Sequence, residues 1–296
     1  MSGEAPSCAR RWSPDQAVKM EIAPGVHSVP ASPNSFMGMF APNVYLVVGT
    51  EGALVDSGYY DAGVTKASLD YIESLAPLEL GCILLTHLHP DHIGGCLHIK
   101  KATGASIVVH AAAAAMAEEL GVRGDVLVED GDVLDVGGVH LEVIHSPGHT
   151  PDSICYYVRE SGTLFSGDLI VGFGTPVIAG GGDIGEYIAS LRRLLKYRVR
   201  LICPGHGPLV RQPQRKIREL IAHRLEREKQ VLSCLRHGKR RVAEVVAQIY
   251  PELDQRLAEL ARLQVAAHLE KLVHEGKVVV VGEEYGLARA HGPAPS

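Results

Sequence analysis

The seven residues THLHPDH at positions 86–92 constrain this chain more than any other segment. They follow an apolar run at residues 82–85 that is typical of a buried strand in a layered α/β protein. The loop at the end of this strand carries three imidazoles and a carboxylate, from His87, His89, Asp91 and His92. Because alternate residues of an extended loop point the same way, the first two histidines can converge on one metal ion while the Asp-His pair faces a second.

A polar cluster of this kind has little use as packing material. Burying each group without a partner costs about 1–3 kcal/mol, whereas a divalent cation satisfies several of them together. A solvated polar loop is the alternative interpretation. A metal site requires further ligands from distant parts of the chain, whereas a solvated loop requires none.

Three further motifs, each at the end of a predicted strand, carry the same residue types. SPGHT at residues 146–150 supplies His149, LFSGD at 164–168 supplies Asp168, and LICPGHG at 201–207 supplies His206. Together and in this order, the four motifs resemble those of the metallo-β-lactamase-fold hydrolases, whose defining loop is His-x-His-x-Asp-His. The resemblance implies an α/β (α+β) fold in which two mixed sheets pack face to face between helices, a four-layer αββα sandwich.

The resemblance also implies roles for individual residues. It implies one Zn²⁺ held by His87, His89 and His149, a second held by Asp91, His92 and His206, and Asp168 bridging both. Asp91 is then also a catalytic residue, which orients the attacking water or carries its proton to the leaving group. His89 stands where the flavodiiron proteins have a carboxylate, which favours zinc over iron; iron, manganese and nickel are the alternatives.

Asp56 is expected behind these ligands. It ends a hairpin predicted at residues 44–56, at the place where the family has an aspartate that orients a ligand histidine. A turn-forming aspartate before glycine is the other interpretation of the same residue.

The sequence divides into four parts. We expect a flexible N-terminus at 1–17, the catalytic domain at 18–212, a helical and winged-helix domain at 213–287, and a tail at 288–296. In the third part, helices are predicted at 213–236, 242–249 and 254–276, followed by a β segment at 277–282. This order is similar to the winged helix at the C-terminus of one branch of the family, which includes the mitochondrial lactamase-B-like endoribonuclease. Such modules often serve in packing or dimerisation, so a homodimer is one expectation.

Local patterns predict three other elements near the metal motifs. A first strand is predicted at 18–29, and an amphipathic helix at 65–75 leads to the metal strand. Asp183 and Glu186 have capping-box spacing at the start of a helix that runs to about Tyr197.

Composition and local sequence features bear on the cellular location of the protein. Of the 296 residues, 46% are hydrophobic and 21% charged, as in an ordinary globular chain. No apolar run approaches the roughly 18 residues that a membrane span needs, and the N-terminus lacks the apolar core of a signal peptide. The six cysteines form no Cys-x-x-Cys pair. We therefore expect a cytoplasmic protein without membrane association.

Two features bear on the substrate. Residues 192–241 contain sixteen lysines and arginines against three acids, which predicts a basic flank that attracts polyanions; a solvated face paired with carboxylates elsewhere is the alternative. The glycine-rich segment 171–182 is expected to form a wall of the substrate cleft, although its glycines can equally serve only to turn the chain. The candidate cleft residues are Phe173, Gly174 and His223.

Three functions follow from these features. The leading hypothesis is a zinc-dependent phosphodiesterase, an endoribonuclease that acts on single-stranded RNA. The second keeps the hydrolase but changes the substrate to a small-molecule thioester, lactone or β-lactam. The third, from another class, is a metal-binding winged-helix regulator that binds nucleic acid.

Overall fold

The computed structural model describes residues 20–29 and 41–288. The N-terminus predicted to be flexible at 1–17 lies outside the described residues, and so does the tail beyond Ala288. Within the described ranges, none of the helices combines the length and the apolarity that crossing a bilayer requires.

The first sheet has seven strands, which follow one another across the sheet in chain order. Their bounds are β1 Glu21–Ala23, β2 Val26–Val29, β3 Val44–Val48, β4 Gly52–Val55, β5 Leu80–Leu84, β6 Ser106–His110 and β7 Val126–Val128. Neighbours from β1 to β4 pair antiparallel. Neighbours from β4 to β7 pair parallel. Parallel neighbours need a crossover connection, and a helix supplies each of the three connections here.

The structure corrects the single strand predicted at 18–29, of which residues 18 and 19 lie outside the described residues. Pro24 and Gly25 interrupt it, and β1 and β2 form a hairpin around them. Gly25 has φ +67°, a conformation that glycine adopts without steric cost. The hairpin predicted at 44–56 is confirmed, with Tyr45 paired to Val55 across β3 and β4.

The second sheet has five strands in the order β12-β11-β10-β9-β8. Their bounds are β8 Val133–Val136, β9 Val139–His145, β10 Ile154–Val158, β11 Thr163–Gly167 and β12 Leu201–Pro204. β11 and β12 are parallel, whereas the other neighbours are antiparallel. The carboxyl ends of β11 and β12 therefore lie at the same edge, which brings Asp168 and His206 together.

The two sheets pack face to face and are covered by helices on both outer faces, so the predicted four-layer sandwich is confirmed. The helices of this part are α1 Ala62–Ser74, α2 Pro90–Ile93, α3 Cys96–Thr103, α4 Ala114–Glu119 and α5 Ile184–Leu194. Between the sheets, the rings of Tyr45 and Phe165 lie 5.5 Å apart in a core of buried aliphatic side chains. Apolar clusters on the outer faces join the first sheet to α1, α3 and α4, and the second sheet to α5.

Only half of the predicted capping box forms at the start of α5. The Asp183 carboxylate accepts a hydrogen bond from the Glu186 N–H at 2.7 Å. The Asp183 N–H, however, donates to the Gly148 carbonyl at 2.9 Å, so it is not available to the Glu186 side chain. The cap thus ties α5 to the residue that precedes His149.

The C-terminal module is a winged helix that shares one helix with the sandwich. Its elements are α6 Pro213–Cys234, α7 Val242–Ile249, α8 Ala258–His274, β13 Val278–Val281 and β14 Glu284–Leu287. Early α6 residues such as Ile217 pack beside the second sheet, whereas later ones such as Val231 pack in the core of the module. β13 and β14 form the antiparallel wing.

Candidate metal centre

The first metal-binding motif lies between β5 and α3. His87 and His89 precede the short helix α2, which begins at Pro90 and carries Asp91 and His92. Proline suits this first helical position because its missing N–H would have no intrahelical partner. The motif is held against the loop after β4, because a Cβ on Gly95 would lie 2.5 Å from the Ser57 carbonyl oxygen.

The other three motifs reach the same point from the second sheet. Each lies in a loop immediately after a strand, β9 for His149, β11 for Asp168 and β12 for His206. A side chain on Gly205 would overlap the Asp168 carboxylate and lie 2.8 Å from His92 Cε1. The absence of a side chain there allows the third and fourth motifs to approach the first.

The structure brings all seven predicted ligands into one cluster. Three groups each have their ligand atoms within 4.8 Å of one another: His87 with His89 and His149, Asp91 with His92 and His206, and His87 with His92 and Asp168. The first two groups are the sets that the resemblance implies for the two ions. Asp168 lies between them, with its carboxylate 3.5 Å from His92 Nε2, 3.5 Å from His206 Nε2 and 3.7 Å from His149 Nε2.

Two buried atoms in this cluster show that it fits metal ions. Among the described residues, neither His92 Nε2 nor Asp168 Oδ1 has a hydrogen-bond partner, although both are buried. Leaving such groups unsatisfied costs about 1–3 kcal/mol each, more when the group is charged. A cation bonded to both would remove that cost, and imidazole nitrogen with carboxylate oxygen is a common ligand combination for transition metals. The cluster can therefore hold metal ions.

Two of the proposed ligands, Asp168 and His87, have charge states that suit metal binding, whereas for His92 and His206 burial is outweighed by nearby carboxylates, which raise the pKa of both. Burial by itself would raise the pKa of Asp168, but its contact with the His92 ring at 3.5 Å and the charges of His92, His206 and His149 outweigh burial and lower this pKa to about 2. Burial, followed by the charges of the neighbouring histidines, lowers the pKa of His87 well below 6.5. An ionised carboxylate and a neutral imidazole are the forms that bind metal.

Asp56 lies directly behind the cluster, as predicted. Its Oδ2 is 2.7 Å from His92 Nδ1 and also accepts a hydrogen bond from Thr86 Oγ1 at 2.9 Å. Its Oδ1 accepts from the Thr86 N–H at 2.8 Å. The residue has φ +59°, the only positive value at a non-glycine residue in the described ranges. Asp56 thus turns the other ring nitrogen of His92 toward the cluster.

Two further supports were not predicted from the sequence. The carbonyl of Val177 is 2.9 Å from His149 Nδ1. Asn43 holds the loop of His206, with its side-chain amide donating to the carbonyls of Pro204 at 2.9 Å and Gly207 at 2.8 Å. Nothing in the local sequence distinguishes these residues, because each acts on a segment far away in the chain.

The candidate cleft residues have different surroundings. The Phe173 ring packs on Gly207, next to His206, where a Cβ would lie 2.5 Å from the ring. Gly174 is exposed, and its carbonyl accepts a hydrogen bond from Lys216 Nζ at 2.9 Å. His223 is exposed on α6, and its pKa is lowered by burial and then by Arg224 and Arg227. In the described part of the chain, none of its contacts reaches the metal cluster.

Tyr59, another residue near the metal cluster, was not predicted from the sequence. Burial, and after it the charges of Asp91 and Asp168, raise the pKa of Tyr59, so its phenol lies within electrostatic reach of both acids. Tyr59 is 36% exposed, and so is Val177. Phe173 packs on Gly207 beside His206, and the Val177 carbonyl contacts His149, so Tyr59, Phe173 and Val177 are uncharged residues near the cluster, called its rim below.

Two family models match the chain. The model described as Metallo-beta-lactamase superfamily matches residues 37–206, and the one described as Beta-lactamase associated winged helix domain matches residues 242–286. The first range contains all four metal motifs, and the second begins at α7.

Curated relatives and solved structures span both parts of the chain. A Drosophila melanogaster protein named Beta-lactamase-like protein 2 homolog is 32% identical over 261 residues, which are 83% of this chain and 87% of the relative. An Aspergillus fumigatus protein named Atrochrysone carboxyl ACP thioesterase is 30% identical over 240 residues, 78% of this chain and 71% of the relative. The crystal structure of a metallo-beta-lactamase family protein from Thermus thermophilus superposes with a TM-score of 0.72 at 25% identity, covering 90% of this chain and 100% of that one.

Proposed function

The chain belongs to the metallo-beta-lactamase superfamily, and from this premise we propose that it is a hydrolase whose seven-residue cluster holds two zinc ions. The observation that carries the proposal is that His92 Nε2 and Asp168 Oδ1 lie buried in the middle of the cluster, 3.5 Å apart, and that neither makes a hydrogen bond within the described residues. Iron, manganese and nickel are the other candidate occupants, and His89, which stands where the flavodiiron proteins have a carboxylate, favours zinc over iron.

The distances within the cluster support two ligand sets. His87, His89 and His149 would hold one ion. Asp91, His92 and His206 would hold the other, and Asp168 would contact both. Zinc ions at these positions supply Lewis-acid activation of water and of the scissile group near neutral pH.

We assign Asp91 to proton handling. Its pKa is lowered, because the hydrogen bond with His206 and the charges of His92 and His206 outweigh the opposite effect of burial, which is the largest single contribution. Its side chain is 18% exposed, so the ionised carboxylate faces the cleft. There it can accept a hydrogen bond from the attacking water and pass the proton to the leaving group.

The rim favours a small acyl substrate, and we propose a thioester or a related ester. Tyr59, Phe173 and Val177 carry no charge at neutral pH, so the mouth of the cleft suits an apolar acyl group. The name of the Aspergillus fumigatus relative describes a thioesterase that acts on an acyl carrier protein, which supports the same bond type.

Single-stranded RNA is the second candidate. Lys216 favours it, because its ammonium group contacts Gly174 beside Phe173 and has two further N–H bonds with which to contact a phosphate. Exposed aromatic rings such as Tyr59 can stack on bases.

We rank RNA second because the basic segment is spread over the molecule. Arg159, Lys196, Arg198 and Arg200 line a surface cavity of about 770 Å³ near the start of β12. His206 follows the other end of that strand, roughly 15 Å away at about 3.3 Å per residue. The regulator hypothesis has less support still, since Arg256 is paired with Asp254 and Arg262 with Glu259.

One parallel assay tests these proposals. Purified protein is analysed for metal and then offered an acyl thioester, an unstructured oligoribonucleotide, bis-nitrophenyl phosphate and a chromogenic lactam, with Asp91→Ala as the control variant. We expect two zinc ions per chain and fastest turnover of the thioester, reduced about 10²–10⁴-fold by Asp91→Ala. If RNA is cleaved faster than the thioester, and this cleavage is lost in Asp91→Ala, single-stranded RNA is the substrate and the thioester proposal is wrong. Protein that binds no metal even in excess would overturn the hydrolase proposal.

A further inference from the structure

Three consecutive carbonyls in the loop after Asp168 are each held by a different part of the chain. They belong to Pro176, Val177 and Ile178. Their partners are, in that order, Arg224 Nη2 at 2.5 Å, His149 Nδ1 at 2.9 Å and Gln264 Nε2 at 2.9 Å. The peptide that holds a proposed metal ligand is therefore flanked on both sides by hydrogen bonds to the C-terminal helices.

Arg224 and Gln264 form a single unit. Arg224 Nη1 donates to Gln264 Oε1 at 2.5 Å, so Gln264 uses its oxygen for the arginine and its nitrogen for the loop. Arg224 lies on α6 with 2% of its surface exposed, and Gln264 lies half-buried on α8 in the winged helix. A buried guanidinium is tolerated only when it is paired, and charge-assisted hydrogen bonds of this type are about twice as strong as neutral ones.

Arg224 also reaches the other side of His149. Its guanidinium carbon lies 5.2 Å from the centre of the Tyr187 ring. A Cβ on Gly148 would overlap Tyr187, so this tyrosine packs directly against the residue that precedes His149. Arg224 thus contacts both the carbonyl that precedes the Val177 carbonyl and the tyrosine that packs against Gly148.

The Val177 carbonyl decides which nitrogen of His149 faces the cluster. As an acceptor 2.9 Å from Nδ1, it requires the hydrogen on Nδ1 and leaves the Nε2 lone pair free. Nε2 points into the cluster, 3.0 Å from His89 Nδ1 and 3.7 Å from the Asp168 carboxylate. A shift of residues 176–178 would release the ring, because the described contacts of Nδ1 include no other acceptor.

We propose that Arg224 and Gln264 are positioning residues for His149, so that the winged-helix module fixes the geometry of the proposed metal site. The proposal rests on His149 being a metal ligand. It assigns to the module a function inside the catalytic domain, which requires no contact between the module and the substrate.

The first test compares two variants of Gln264 with a matched control. Gln264→Leu removes both of its hydrogen bonds, whereas Gln264→Glu keeps the bond to Arg224 and replaces the donor to Ile178 by a carboxylate oxygen. Glu228→Gln is the control, since Glu228 is buried one turn further along α6 and pairs with Lys271 and Lys277 without touching the loop. Zinc affinity is measured by competition with a chromophoric chelator.

We expect both Gln264 variants to lower the affinity for one of the two zinc ions about 10–100-fold. This is the range found for residues that orient metal ligands. Glu228→Gln should lower the melting temperature without changing either affinity. If Gln264→Leu binds both ions as the wild type does, or if Glu228→Gln weakens zinc equally, the positioning role is wrong.

A second readout uses the zinc-free protein. Long-range proton–nitrogen NMR spectra distinguish the two tautomers of His149, and the wild type should show the hydrogen on Nδ1. Gln264→Leu should convert this signal to a mixture, while Glu228→Gln should not. Wild-type protein that binds no zinc would contradict the proposed function, whereas the tautomer comparison would still decide between a positioned and a free His149 ring.

Discussion

Asp56 and His92 are joined by a 2.7 Å contact between a carboxylate oxygen and the ring nitrogen that faces away from the metal cluster. Both side chains are almost completely buried, with 3% and 0% of their surface exposed. The same carboxylate binds Thr86 through two further hydrogen bonds, which fix it to the end of β5. His92 is therefore held in one orientation before any ligand binds.

Asp56→Asn should weaken metal binding without unfolding the protein. Asparagine tolerates the positive φ of this position. Its amide nitrogen, however, accepts no hydrogen bond, so asparagine cannot replace both carboxylate oxygens that contact His92 and Thr86. We expect a loss of zinc affinity of about 10–100-fold, measured by chelator competition. Asp61→Asn, the same change at the exposed N-cap of α1, should have no effect because asparagine also caps helices. Unchanged affinity in Asp56→Asn would show that Asp56 does not orient His92.

Removal of metal should destabilise the protein measurably. Chelation would leave His92 Nε2 and Asp168 Oδ1 buried without a hydrogen bond from the described residues. A ligand present at 100 times its dissociation constant stabilises the folded state by about 2.7 kcal/mol, which corresponds to a melting temperature roughly 4–5 °C higher for a protein of this size. Calorimetry with and without chelator measures this difference, and chelator already saturated with zinc is the control. Identical melting temperatures would indicate that the cluster binds no metal.

Gly205→Ala should disrupt the cluster although it adds only one methyl group. That methyl would overlap the Asp168 carboxylate and lie 2.8 Å from His92 Cε1, and neither side chain can move without leaving the cluster. We expect loss of most activity and of at least one zinc ion. Gly63→Ala, in the first turn of α1, meets only the Asp61 side chain at 3.1 Å and should leave zinc content unchanged. A fully zinc-loaded, active Gly205→Ala would contradict the geometry described for this edge.

The sandwich and the cluster were predicted through the resemblance to a known family, and that resemblance depends on short local motifs. Each metal motif is a short run of ligand-forming residues directly after an apolar strand, and parallel strands such as β11 and β12 end at one edge whatever their other contacts. The winged helix was predicted for the same reason, from the order of its elements.

What the sequence did not predict depends on contacts between distant segments. Val177 acts through its carbonyl, which every residue has, so its contact with His149 leaves no pattern in the sequence. Arg224 belongs to a basic run, yet it is buried against Tyr187 and Pro176 rather than exposed. Counting charges along the chain merged this arginine with Lys196 and Arg200, which lie on another face.

His268 gives the C-terminal module a specific sensitivity to acid. It lies on α8 with none of its surface exposed, and among the described residues neither ring nitrogen has a hydrogen-bond partner. Burial, followed by the charges of Arg224, Arg227 and Lys271, lowers its pKa to about 3. The folded protein therefore keeps this imidazole neutral at pH values where the unfolded chain protonates it.

The stability of the protein should consequently fall as the pH drops below about 6.5, where an unfolded histidine begins to bind a proton. Each pH unit between 6.5 and 3 costs about 1.4 kcal/mol from this group, so roughly 2 kcal/mol is lost on going from pH 6.5 to pH 5. His268→Leu removes the titrating group, and its urea midpoint should depend less on pH over this range. Measurements in chelator-containing buffer exclude metal release as a variable, and His274→Gln, an exposed residue on the same helix, should retain the wild-type pH dependence. Equal pH dependence in His268→Leu and the wild type would mean that folding does not lower the pKa of His268.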